Sequence, residues 1–135
     1  MTGIDVRLGK NVKDVSALWV KRIVLKTLVS ENKKSAAVSV LLTDNRKIRQ
    51  INKKFLGHDY ATDVISFGAS SPRMPMESGF LCDLVVSVEM AKRMAAELAI
   101  SFEEELARYL VHGTLHLLGY DDKRPRDKKI MFKKQ

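Results

Sequence analysis

Cysteine is almost absent: Cys82 is the only one in 135 residues. A lone thiol cannot close an internal disulfide, so a reducing, cytoplasmic setting is the expectation. Cys82 lies in an apolar segment and reads as a small buried hydrophobe rather than a nucleophile or ligand. Long apolar runs are missing too. Nothing approaches the roughly eighteen residues of a membrane span, and the N-terminal MTGIDVRLGKN has no apolar signal core. No repeat, linker or low-complexity tract interrupts the sequence, which points to one domain over residues 1–135. A glycine-rich phosphate loop and regular βαβ alternation are also lacking. The expected class is therefore α/β or α+β, a mixed sheet with helices.

What is present begins with charge. The length suffices to bury roughly 70% of the unfolded surface without staples. The formal net charge of +8 attracts polyanions, either nucleic acid or an anionic membrane surface. Arg46, Lys47, Arg49, Lys53 and Lys54 crowd one segment, and Lys123 to Lys134 crowd the C-terminus. A solvated lysine-rich face is the plain alternative.

Hydrophobic periodicity gives the order of elements. Residues 4–8 alternate as a short strand, and Val12 to about Val29 follow a helical stripe. AVSVLLT (37–43) is a buried strand by its β-branched content. Thr43 or Asp44 can cap the next helix, whose core face is Ile48, Ile51 and Phe55 and which ends near Gly57. ATDVISFG (61–68) and FLCDLVVSV (80–88) read as strands paired across a Pro- and Ser-rich loop. A helix spans about Glu89 to Leu98, with Met90 and Met94 as core filler. Ser101 then opens a capping pattern with Glu104 at the third position, starting a helix that runs to Leu118.

That last helix carries HGTLHLLGYDD (112–122). His112 and His116, at i and i+4, share one helix face about a turn apart. Gly119 can supply the left-handed residue that ends the helix and turns the chain back toward the same point, where Asp122 arrives. Two imidazoles, a carboxylate and an open fourth position make a catalytic zinc site. The chain holds only three histidines, and two are here. The spacing reproduces the metzincin pattern H-E-x-x-H-x-x-G-x-x-H with Asp122 in the last ligand's place. One difference decides the chemistry. The glutamate that acts as general base in those proteases would stand at Gly113, so zincin-type peptide hydrolysis is disfavoured.

The stretch His112 to Asp121 resembles the signature of the YbeY family, bacterial endoribonucleases that mature ribosomal RNA. Ile51-Asn52 through Phe55, then Thr62-Asp63-Val64-Ile65-Ser66-Phe67, is similar to that family's Asn-containing helix and following strand. Asp83 to Ser87 resembles its next strand. The resemblance implies a zincin-like α/β fold holding one divalent metal, usually zinc, on His112, His116 and Asp122. It implies metal-assisted hydrolysis of RNA phosphodiesters, with ribosomal RNA and the small ribosomal subunit as partners and no membrane. Two departures stand out. Asp122 replaces a histidine, which remains a legitimate zinc ligand. Leu56 replaces an arginine that suits a bidentate phosphate clamp; Lys53, Lys54 and His58 are the expected RNA-binding substitutes, none of them an equivalent fork. Leu56 thus keeps open a second reading, a non-catalytic RNA-binding assembly factor with a structural metal. A metallopeptidase-like hydrolase is the third. Asp63 and Asp83 are candidates to orient ligands or to bond strand ends, and Trp19 and Tyr120 are core or site-wall aromatics.

Overall fold

A computed structural model describes residues 3–32, 37–68 and 82–119. Its elements are β1 (Gly3–Leu8), α1 (Ala17–Ser30), β2 (Ala37–Thr43), α2 (Asn45–Leu56), β3 (Val64–Phe67), β4 (Cys82–Ser87), α3 (Val88–Leu98) and α4 (Phe102–Leu117). The four strands form one mixed sheet in the order β1-β2-β4-β3. β1, β2 and β4 run parallel, while β3 pairs antiparallel with β4, Val64 opposite Val86 and Phe67 opposite Asp83. The pairing across the Pro- and Ser-rich segment is the one the sequence predicts.

Alternation along the strands divides the core into two. Leu84 and Val86 join Val38, Val40 and Leu42 against Val20, Val24 and Leu28 of α1 and Leu106 and Leu110 of α4. Ile65, Phe67 and Val85 face the other way, onto Ile48 and Ile51 of α2. In β4, Leu84, Val85 and Val86 are all fully buried, because helices cover both faces of this central strand. Each such side chain contributes roughly 1.5–3 kcal/mol of transfer free energy. The sheet's outer edge on the β4 side is β3, held by α4 on one face and α2 on the other.

Three boundaries differ from the periodicity. The first helix starts at Ala17, not Val12. Gly9 N–H donates to Leu42 O at 2.8 Å and Val12 N–H to Gly9 O at 3.1 Å, so the chain turns before it can coil. Asp14 takes a left-handed φ of 63°, and Ser16 Oγ accepts from Trp19 N–H at 3.2 Å to start the helix. Val12 and Val15 still pack on the core, but from a loop. β3 starts at Val64, not Ala61. Asp63 Oδ1 accepts from Val64 N–H at 2.7 Å and from Thr62 Oγ1 at 3.2 Å, and these local bonds compete with ladder pairing. β4 gives way to α3 at Val88 because Ser87 Oγ caps that helix, accepting from Met90 N–H at 3.1 Å. Trp19 and Met90 pack against the core, as does half-buried Cys82. No helix among the described residues is long and apolar enough to cross a membrane.

Asp44 is the cap of α2, between the two candidates. Its carboxylate accepts from Lys47 N–H at 2.9 Å and from Asn11 Nδ2 at 3.2 Å. Those bonds, the Lys47 N–H first, hold its pKa below the ordinary 3.8. A depressed carboxylate contributes stability above its unfolded pKa and loses it as pH falls through the folded one. Asp44→Asn keeps a cap but removes that titration. Its melting temperature is expected to fall less steeply than the wild type's below about pH 4; identical pH profiles in calorimetry would contradict this.

Candidate active site

The site is built on α4. Ser101 Oγ accepts from Glu104 N–H at 3.0 Å, and Glu103, Glu104 and Glu105 occupy the first turn, where carboxylates favour the helix dipole. Leu106, Leu110 and Leu115 bury the helix against the sheet. At the other end Leu118 is the cap, and Gly119, at φ 99°, donates its N–H to His116 O at 3.0 Å. Glycine adopts that φ without strain, and it ends the helix where the spacing predicts.

His112 and His116 lie one turn apart and half-buried. Their Nε2 atoms are 3.0 Å from each other, with ring centroids 4.7 Å apart. Both imidazole tips therefore aim at one point. With zinc–nitrogen bonds of about 2.05 Å, two tetrahedral ligands would place these nitrogens about 3.3 Å apart, so a few tenths of an ångström of side-chain rotation suffices. The pair fits a divalent cation. Among the described residues no group of three or more His, Cys, Asp or Glu is gathered for one. Asp122, the expected third ligand, lies outside the described residues, as do Tyr120 and the basic tail.

Gly113 has a packing reason. A Cβ there would run into Leu84 Cδ1 and stand 2.8 Å from Val64 Cγ2. Absence of a side chain lets α4 settle onto β3 and β4, and Ser66 Oγ fastens the contact by donating to Gly113 O at 3.0 Å. The position that carries a protease's base is here a helix–sheet contact.

The histidines open onto a cleft of about 430 Å³ walled by β3, by Thr62 and Asp63, and by the C-terminal end of α2 with residues that follow it. Asn52, buried in α2, shapes that wall: its Nδ2 donates to Tyr60 O at 3.0 Å and its backbone carbonyl accepts from His58 N–H at 3.2 Å. His58 and Tyr60 stand side by side on the rim, ring centroids 5.4 Å apart. Leu56, 41% exposed, lines the same cleft and offers it no hydrogen-bonding group. The other two expected RNA contacts are not in it. Lys53 faces an adjoining groove with its Nζ 3.8 Å from Asp59 Oδ2, and Lys54 Nζ lies 5.4 Å over the Phe55 ring. Asp63 bonds the strand end, and its carbonyl also accepts from Ser87 N–H at 2.9 Å. Asp83 is buried in β4, paired with Ser39 and Phe67.

His112 also borders a second cleft, with Glu105, Arg108 and Tyr109. Burial, together with the nearby Glu105 carboxylate, pushes the Tyr109 hydroxyl well above its ordinary 10, which keeps it protonated.

The family model described as endoribonuclease YbeY matches residues 6–135. The chain belongs to this family. An endoribonuclease YbeY of Sulfurihydrogenibium sp. (strain YO3AOP1) is 40% identical over 121 residues, covering 89% of this chain and 79% of that one. Another, of Persephonella marina, is 36% identical over 133 residues, covering 98% and 86%. In structure the chain is similar to TM1509 from Thermotoga maritima, a solution structure, with a TM-score of 0.67 and 29% identity over 97% of this chain and 83% of the other. The mixed α/β fold expected from the resemblance is thus borne out. So is the hydrolase class, a nuclease that cleaves RNA internally, over the binding-only and peptidase alternatives.

Asn52, Tyr60 and Ser66 escaped the sequence reading as site residues. Asn52 is a polar residue on the buried face of α2, beside Ile48 and Ile51, and that mismatch was the available signal. For Tyr60 and Ser66 only the tertiary contacts reveal a role.

Proposed function

We propose that this chain is a metal-dependent endoribonuclease that cuts single-stranded RNA segments in the cytoplasm during ribosomal RNA maturation on the small ribosomal subunit. One observation supports the reading above others: two imidazole Nε2 atoms converging to 3.0 Å at the floor of an open cleft, in a chain of this family. His112, His116 and Asp122 are the proposed ligands, and the nitrogen–oxygen donor set suits zinc. When bound, such an ion polarises a phosphoryl oxygen or lowers the pKa of water.

The chain's own residues supply the rest. The Ser66–Gly113 bond and the close packing at Gly113 hold the histidine turn rigidly against β3. Precise placement of a phosphodiester depends on such rigidity. Leu56 gives the cleft an apolar wall, and His58 on the rim is the proposed contact to the RNA backbone. Gly113 puts no side chain at the position where a peptidase of this spacing carries its glutamate base.

Purified protein, cleared of metal by a chelator, is expected to lose cleavage of a fragment of small-subunit ribosomal RNA and to regain it with stoichiometric zinc. Undiminished cleavage after metal removal, verified by elemental analysis, would sink the metal-dependent reading. Salt-sensitive RNA binding without cleavage under any divalent ion would favour a binding factor instead.

A further inference from the structure

The cleft that holds His112 and His116 has no lysine or arginine among the described residues lining it. A phosphodiester strand must be gripped somewhere, because neutralising phosphates supplies much of the affinity for RNA. Immediately beside it lies a larger groove of about 650 Å³ on the outer side of α2, lined by Arg46, Arg49 and Lys53. Both clefts include Tyr60, so they meet there.

We propose that Arg46, Arg49 and Lys53, ending at Tyr60, form the track that binds a single-stranded RNA and leads it to the histidine pair. The proposal rests on the RNA-cleaving reading above. The three cations stand at i, i+3 and i+7, one stripe of the helix. At 1.5 Å of rise per residue they are spaced along the axis by about 4.5 and 6 Å. From that spacing, long arginine and lysine side chains can spread to reach successive phosphates of a strand. The stripe is also rigid. Ile48 and Ile51 anchor the helix from behind, and Asp44 and Gly57 cap its two ends.

Asp59 orients the track. Its Oδ1 accepts from Arg49 Nε at 2.9 Å, and this bond holds the Asp59 carboxyl below its ordinary pKa. The bond uses Nε, so the guanidinium is fixed in direction while its side chain stays more than half exposed. Tyr60, 55% exposed, offers a flat face at the junction. An aromatic there can stack a base whatever its identity. A purely solvated face explains the charges but not their alignment along a groove that meets the histidine cleft at Tyr60. Lys54, folded over Phe55, is not part of the track.

The test uses the full chain and a fluorescein-labelled single-stranded RNA, with anisotropy read across a salt series. The triple variant R46Q/R49Q/K53Q is expected to bind about 30-fold more weakly at 0.1 M salt, with the slope of log K against log salt reduced by about 2, near 0.7 per lost contact. The control K21Q/R22Q/K26Q removes three exposed charges from α1 and is expected to change the slope by less than half as much. Tyr60→Ala is expected to weaken binding about ten-fold at unchanged slope, with Tyr60→Phe restoring it, the signature of stacking. Equal losses in the two triple variants would overturn the track while leaving the RNA reading intact. Failure of the wild type to bind or cut any RNA would instead overturn that reading. Loss of binding to phosphatidylserine vesicles in the α2 triple, with RNA binding unchanged, would assign the face to membranes and overturn the track.

Discussion

His116→Ala is expected to lower RNA cleavage by about 10³-fold or more while leaving the melting temperature within a few degrees of the wild type. The disparity follows from where the side chain sits. His116 is half-buried in the last turn of α4, and the core beneath it is built from Leu106, Leu110 and Leu115. Little packing is lost on truncation. What disappears is one of two nitrogens that converge at 3.0 Å, and one imidazole with the proposed Asp122 ligand holds a cation less tightly and in a less defined geometry than the full set. His112→Ala is expected to cost as much. The double variant should be no worse than either alone, since ligands of one site act as a unit. Single-turnover cleavage of a labelled RNA measures all three. Rates equal to wild type in either single variant would remove the histidine pair from the chemistry.

Installing a glutamate at the protease-base position is expected to destabilise the protein rather than create a peptidase. Gly113→Glu should lose more than about 3 kcal/mol, or about 10 °C in melting temperature, with no peptide hydrolysis gained. The Cβ alone would meet Leu84 Cδ1 and lie 2.8 Å from Val64 Cγ2. Leu84 can yield at its tip, but Val64 is β-branched and stiff at χ1. Gly113→Ala isolates that steric part and is expected to lose about 1–3 kcal/mol. The glutamate adds burial of a carboxylate against an apolar sheet face, with the Ser66–Gly113 contact forced apart. Urea denaturation of the two variants separates the contributions. A wild-type midpoint for Gly113→Ala would show that α4 does not depend on this close approach.

Much of the scaffold was legible because local chemistry and long-range packing agree. Ser101 capping α4, Gly57 ending α2 and Gly119 ending α4 are all written in residues whose conformational preferences decide the outcome alone. The pairing of β3 with β4 follows from two apolar runs with a turn-rich segment between them. Boundaries shift where hydrogen bonds, one tertiary and one local, outweigh periodicity. Val12 and Val15 fall on a helical stripe, yet Gly9 bonded to Leu42 and the left-handed Asp14 hold them in a loop. Ala61 and Thr62 continue a strand-like run, yet the Asp63 side chain takes the Val64 N–H first.

The sequence by itself determined the histidine pair, its one-turn spacing on a buried helix, and the missing base at Gly113. These depend only on helical geometry and residue type, which a linear chain states directly. It also determined the positive charge, but not where that charge acts. Only the tertiary structure turned Lys53 toward one groove and Lys54 onto Phe55, and brought Leu56, Asn52 and Tyr60 to the wall facing the histidines. It alone explained Gly113 as the point where α4 meets Val64 and Leu84. Residues as far apart in the chain as Asn52 and His116 meet here through the path of α2 and β3 around the sheet, and helical periodicity carries no record of that path.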